Sequence, residues 1–289
     1  MKSPAIKLLR KHLKEKAFYQ WVFITYKSVK DFIFFCIRYL EWKLYAYNIK
    51  SSKDLCFPNF MIIGLPRCGT TWFMNNLYHH PNIHLPLTEP EYFTSHLDRS
   101  LRSYSNIIKR GTGIIRGTKS PFYCTLPVYK IRWIKEMMQD LKIILILRNP
   151  IDRTWSHAKW TITKVKGKNI EKIGEQVMFD FFKKDKKRFN YLNILKNYSS
   201  VFSSNQFKII IFDEIKSRPK SLLRETFNFL GESGQIDWNI HPYYKKINPG
   251  IDKPIPSHYA QFLRKLYSQE LLLLKKRLGS RVASWLSTA

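Results

Sequence analysis

Acidic residues are scarce in this sequence: of 289 residues, 21 are Asp or Glu against 50 Lys or Arg, a formal net charge of +29. So broad a positive field favours anionic partners, whether nucleic acid, phospholipid headgroups, a nucleotide or an acidic glycan. Cysteine is equally sparse. Cys36, Cys56, Cys68 and Cys124 form no CxxC pair and have no neighbouring histidine, which argues against a structural zinc site and against a small disulfide-stapled fold. The same spacing predicts reduced thiols in a cytosolic compartment. Long apolar runs are missing too. The longest clean one, Phe32 to Ile37, falls far short of the ~20 residues a spanning helix needs. Lys2 and Lys7 are followed by Arg10, Lys11 and Lys14, so the apolar centre of a cleaved secretory signal is lacking.

What is present suits a packed globular chain: 44% hydrophobic and 25% charged residues, incompatible with global disorder. Residues 1–55 read as a basic, aromatic helical extension. Two amphipathic helices fit residues 4 to 47, with Trp21, Phe23, Phe34, Phe35, Trp42 and Tyr45 suited either to a lipid boundary or to packing on a core. Residues 56–289 read as one α/β domain, a three-layer parallel sheet flanked by helices. Buried strands are expected at Asn59–Gly64, Gly113–Thr118, Lys142–Leu147 and Lys208–Phe212. Helices are expected at Thr70–His80, Leu126–Gln139, Ile151–Lys164, Glu171–Tyr198, Ser217–Leu230 and Ser257–Leu278.

The first strand runs into Gly64-Leu65-Pro66-Arg67-Cys68-Gly69-Thr70-Thr71-Trp72 and then into a helix. Glycines at both ends let backbone N–H groups and the helix N-terminus close around an anion. The spacing follows GxxxxGK[ST], but Thr70 stands where that motif has Lys, and the basic residue sits inside the loop at Arg67. Such a loop suits transfer of a group less charged than a phosphoryl, without the metal that a triphosphate demands. A second anion site is expected where Arg148 ends the third strand and Ser156 follows in the next helix, opened by Pro150.

Together these segments resemble the signature pair of sulfotransferases that use 3′-phosphoadenosine 5′-phosphosulfate (PAPS), a likeness covering about residues 58 to 280. Gly64 to Thr71 is similar to the family's 5′-phosphosulfate loop. Arg148 and Ser156, eight residues apart, are similar to its 3′-phosphate site. The run Phe212 to Ile215, then Arg218-Pro219 and Phe229-Leu230-Gly231, also resembles a family segment. Glu89-Pro90-Glu91-Tyr92-Phe93 and Gly117-Thr118-Lys119-Ser120-Pro121 resemble the heparan-type and bacterial carbohydrate subgroup, with Thr88 and Thr118 departing from its pattern. The resemblance implies PAPS as sulfuryl donor, bound by Arg67, Cys68, Gly69, Thr70, Thr71, Trp72, Arg148 and Ser156. It implies Glu89 as the base, with His96 as the alternative, and Arg67 and Lys119 as the cations beside it. No metal ligand cluster is expected. The acceptor implied is a glycan, glycolipid or small hydroxylated molecule. The cysteine pattern predicts a cytoplasmic location, and the basic, aromatic extension either a peripheral position at the inner face of a membrane or packing on the core. The competing reading is a basic nucleic-acid- or membrane-binding protein with a degenerate nucleotide loop, although no helix-turn-helix, zinc-finger or RNA-recognition signature accompanies the charge.

Overall fold

The computed structural model describes residues 4–47, 55–86, 88–110, 114–247 and 249–287, with the side chains of residues 4–23 and 287 left aside. Five parallel strands form one sheet: β1 (Phe60–Gly64), β2 (Ile83–His84), β3 (Ile115–Ser120), β4 (Lys142–Leu147) and β5 (Phe207–Ile211), in the order β2-β3-β1-β4-β5. The central strands β1 and β4 are buried almost throughout, as strands covered on both faces must be. Phe60 pairs with Gly117 in the β1–β3 register. A Cβ on Gly117 would lie 2.2 Å from the Phe60 ring, so the glycine makes room for the aromatic on the neighbouring strand.

The helices are α1 (Pro4–Ala46), α2 (Thr70–Tyr78), α3 (Tyr92–Ser95), α4 (Leu101–Lys109), α5 (Val128–Met137), α6 (Pro150–Trp160), α7 (Glu175–Arg188), α8 (Tyr191–Ser199), α9 (Phe212–Ser217), α10 (Pro219–Leu230) and α11 (Ser257–Leu278). Sequence reading anticipated the three-layer parallel architecture and most elements within a few residues. Helices α3, α4 and α9 were not anticipated, and four further details differ. β2 is only two residues long and pairs only with β3, too short for periodicity to reveal. The helix expected over 171–198 is two helices, because Phe189 leaves the helical region and Asn190 caps α8 by accepting from the Asn193 N–H at 2.9 Å. The extension is one helix, not two: after Pro4 no Pro or Gly interrupts it before its end at Ala46. Its C-terminal half packs on α4 and α5 through Phe35, Tyr45 and their neighbours. The strand expected at 113–118 starts at Ile115, with Gly113 outside the described residues, and runs on to Ser120. Trp21 and Phe23 likewise lie among the side chains left undescribed.

From β1 the chain runs to the edge strand β2, returns to β3 between the two, then crosses to β4 and β5 on the other side of β1. The carboxyl ends of β1, β3 and β4 therefore border the crevice where open α/β sheets hold ligands.

Candidate active site

The loop after β1 is shaped by two residues in the left-handed region. Gly69, the N-cap of α2, has φ +86°, and a Cβ there would come within about 3 Å of Ile215 and Phe212, so glycine is required by conformation and by space. Arg67 also has a positive φ, 73°, which for an L-residue costs about 1–2 kcal/mol. Its carbonyl is held there by Arg148, whose Nη1 donates to it at 3.1 Å. Beyond the loop, Thr70 and Thr71 open α2, where N–H groups have no intrahelical acceptor and the helix dipole favours an anion. Trp72 is buried beneath them. Cys68 contributes shape rather than chemistry: its N–H bonds the Leu65 carbonyl at 3.1 Å, and burial pushes its thiol up to about 11.

Arg148 ends β4 and stacks its guanidinium 4.5 Å from the Phe212 ring centroid. Ser156, on α6, accepts a hydrogen bond from Arg67 Nε at 3.2 Å. Side chains from the two sequence motifs, 89 residues apart, thus meet. Burial and the neighbouring charge of Arg148 both lower the Arg67 guanidinium from its ordinary value, the signature of two cations crowded where an anion relieves them.

The helix presenting Ser156 is anchored from behind. Arg153 is fully buried and donates to Asp185 of α7 from both Nη1 and Nη2. Asp185 also bonds His157 Nδ1 at 2.6 Å, while Thr154 Oγ1 meets Tyr267 of α11 at 2.8 Å. Burial alone would raise the Asp185 carboxyl, but the His157 bond and the Arg153 charge hold it below the ordinary range. His157 therefore serves this network rather than Ser156 directly.

A cavity of about 1130 Å³ opens over these groups, bounded on its far side by residues of the 243–255 segment. That segment is tied down at three points. Trp72 Nε1 donates to the Tyr243 carbonyl at 3.2 Å, and Trp155 Nε1 to the Lys253 carbonyl at 2.9 Å. Lys159 Nζ reaches the carbonyls of Ile251 and Lys253 at 2.6 and 2.7 Å. At Gly250 a Cβ would lie 3.7 Å from Arg67 Nη2 and 3.9 Å from Ser156 Oγ, so the backbone runs directly over that pair. Sequence reading did not single out this wall. Its available signal was Pro249-Gly250 with Pro254 and Pro256 among Lys245, Lys246 and Lys253.

On the other side of β1, Lys119 occupies the carboxyl end of β3, is only 6% exposed, and pairs with Glu89 Oε1. Its Nζ is also 3.4 Å from Thr71 Oγ1, linking the Glu89 carboxylate to the first turn of α2. Glu91 follows with φ 44°, and burial, then the charge of Glu89, lifts its carboxyl above the ordinary range. His96 is the C-cap of α3 and donates its own N–H to the Tyr92 carbonyl; among the described residues no side-chain hydrogen bond joins it to Glu89 or Lys119.

The anion donors thus fall into two groups, the start of α2 and the Arg67–Arg148–Ser156 cluster, beside a cavity with room for a mononucleotide. A nucleotide carrying separate 5′ and 3′ anionic groups fits that donor set.

Relatives and solved structures carry the same likeness. A stretch of 120 residues, 40% of this chain, is 32% identical to the membrane-associated sulfotransferase kil1 of Dictyostelium discoideum, and another of 112 residues is 32% identical to mouse heparan sulfate glucosamine 3-O-sulfotransferase 6. These matches span 25% and 32% of the two relatives' own lengths. In three dimensions the fold is similar to a sulfotransferase from Alicyclobacillus acidocaldarius, with a TM-score of 0.65 at 20% identity over 80% of this chain and 99% of that one. It is also similar to mouse sulfotransferase SULT7A1 complexed with PAP, with a TM-score of 0.54 at 14% identity over 82% and 91%. The sulfotransferase domain model itself matches residues 57–246, the stretch that contains the phosphate loop, Lys119, Arg148 and Ser156, and the chain belongs to the sulfotransferase domain family.

Proposed function

We propose that this protein transfers a sulfuryl group from PAPS to a hydroxyl of a carbohydrate or glycolipid acceptor. The observation that carries the reading is the meeting of Arg67, Arg148 and Ser156 on one side of the α2 N-terminus, with the Glu89–Lys119 pair reaching Thr71 on the other. PAPS, when bound, supplies the sulfuryl group and a phosphate leaving group. Thr70, Thr71 and the opening N–H groups of α2 hold the 5′ side, while Arg148, Ser156 and the Arg67 guanidinium hold the 3′-phosphate. Charge-assisted donors of this kind are the strong ones.

Glu89 takes the proton of the acceptor hydroxyl. Lys119, bonded to Glu89 and adjacent to Thr71, carries positive charge from the base toward the sulfuryl oxygens and stabilises negative charge as it develops. Because Lys119 is nearly buried, its charge is screened less than a surface lysine's would be. Of the two candidate bases we take Glu89, because it pairs with Lys119; among the described residues His96 makes no side-chain hydrogen bond to that pair.

The names of the heparan sulfate relatives support a sugar hydroxyl as acceptor, and the name of the Dictyostelium relative supports association with a membrane, for which we take the cytoplasmic face. Among the described residues no helix is long and apolar enough to cross a bilayer. A transfer assay with labelled PAPS against cell-envelope glycan and lipid extracts, read by mass spectrometry of the product, tests the reading. A sulfated product is expected. Tight DNA binding in moderate salt, with no affinity for adenosine 3′,5′-bisphosphate, would overturn it.

A further inference from the structure

From Asp31 to Tyr45 the inner side of α1 is accounted for by the core, but its outer side is not. Tyr26, Val29, Ile33, Ile37, Leu40 and Tyr47 are each between 41% and 71% exposed. Their spacing of three, four, four, three and seven places them in one line along the helix, about 30 Å long at the helical rise. This stripe lies opposite the side chains that face the protein, Asp31, Phe35, Arg38, Trp42 and Tyr45.

Charge along α1 is predominantly positive. The two acids of the described half of α1 are both engaged inward: Asp31 binds the buried Lys130 at 2.7–2.8 Å, and Glu41 pairs with Arg38 and accepts from the Leu101 N–H at 3.3 Å. Lys30 is exposed beside the stripe, whereas Lys27, eighteen residues before Tyr45, lies on the side toward Asp31 and Lys130. Lys43, on the other flank, bonds Glu136 of α5 at 2.9 Å. Earlier in the same helix the sequence adds Lys7, Arg10, Lys11, Lys14 and Lys16 against the single acid Glu15.

We propose that the outer face of α1 docks on an anionic lipid surface, with the apolar stripe entering the headgroup boundary and the flanking lysines meeting lipid phosphates. A second copy of this chain fits the face less well. Pairing two stripes would bring Lys30 of each copy toward the other with both acids of the described half of α1 already engaged inward, whereas anionic headgroups supply the missing charge. The arrangement also suits a helix that does not span: its inner side is committed to protein contacts from Asp31 to Tyr45. The inference goes beyond the transfer reaction and does not depend on it.

The test is co-sedimentation of the full chain with vesicles of phosphatidylcholine alone or of phosphatidylcholine with phosphatidylglycerol. Binding to the anionic vesicles only is expected. Ile33→Asp with Leu40→Asp, both at exposed positions, should lower the partition by at least about tenfold; Lys30→Glu should lower it too, and added salt should weaken the wild type. Affinity for adenosine 3′,5′-bisphosphate, measured in parallel, should stay unchanged in all variants, which separates loss of docking from loss of fold or of the nucleotide site. Equal binding to both vesicle types, or vesicle binding indifferent to the stripe substitutions, overturns the proposal. So does a wild-type dimer in light scattering that the stripe substitutions dissolve, since the occupant would then be a second copy.

Discussion

Replacing Arg67 by Ala separates two roles open to a basic residue inside the phosphate loop: holding the sulfuryl group or holding the 3′-phosphate. The geometry favours the second. Arg67 Nε bonds Ser156 Oγ at 3.2 Å, Gly250 closes over both, and Arg148 lies against the Arg67 carbonyl. One charged hydrogen bond to phosphate contributes about 1.5–3 kcal/mol, so Arg67→Ala should weaken adenosine 3′,5′-bisphosphate by roughly ten- to hundredfold. Adenosine 5′-phosphate, which lacks the 3′ group, should lose far less. Without nucleotide the sign reverses. Burial and the proximity of Arg148 disfavour the Arg67 charge, and alanine keeps the left-handed backbone with its Arg148 bond, so the empty protein should be as stable as wild type or slightly more so. Paired titration calorimetry with the two nucleotides, plus thermal melts of the empty protein, measures both effects. The double variant with Ser156→Ala should fall short of additivity, as bonded neighbours do. If Arg67→Ala leaves the preference for the bisphosphate intact while turnover collapses, the guanidinium serves the sulfuryl group and the assignment is wrong.

Glu89→Gln should lower kcat by about 10²–10⁴-fold, the contribution of a general base, without weakening adenosine 3′,5′-bisphosphate, because Lys119 keeps its charge beside Thr71; single-turnover kinetics with His96→Ala near wild type completes the check, and the reverse pattern transfers the role to His96. Asp185→Asn leaves the buried Arg153 without its counter-ion and should cost about 3–5 kcal/mol at neutral pH. Since the folded Asp185 carboxyl lies below its unfolded value near 3.9, its contribution is fully present above that value and is lost as pH falls through the folded one. Urea melts of both proteins should therefore converge in acid, and a gap that persists there would show that the loss comes from packing rather than charge.

Local pattern made much of this molecule legible in advance. β1 and β4 are short runs of Ile, Leu and Met whose burial on both faces leaves no other conformation as favourable, and the glycines bracketing the first loop imply a backbone that wraps an anion. Arg148 could be placed at a strand end, and Ser156 in the following helix, from the Asn149-Pro150 start alone. The break at Phe189 and Asn190 was harder to foresee, since a capping side chain is decisive only once the chain has already turned. Two-residue β2 exists because β3 offers it an edge. What only the tertiary structure decided is which distant side chains meet. Arg67 reaches Ser156, Lys119 bridges Glu89 to Thr71, and the lysine-rich 243–255 segment closes the cavity, because parallel pairing of β3, β1 and β4 brings their carboxyl ends to one edge and the ion pairs form across it. The same holds for α1. Its basic and aromatic composition is visible in the sequence, but which of its faces the core leaves uncovered follows from packing on α4 and α5, since a helix apolar on more than one side has its orientation set by the surface that receives it.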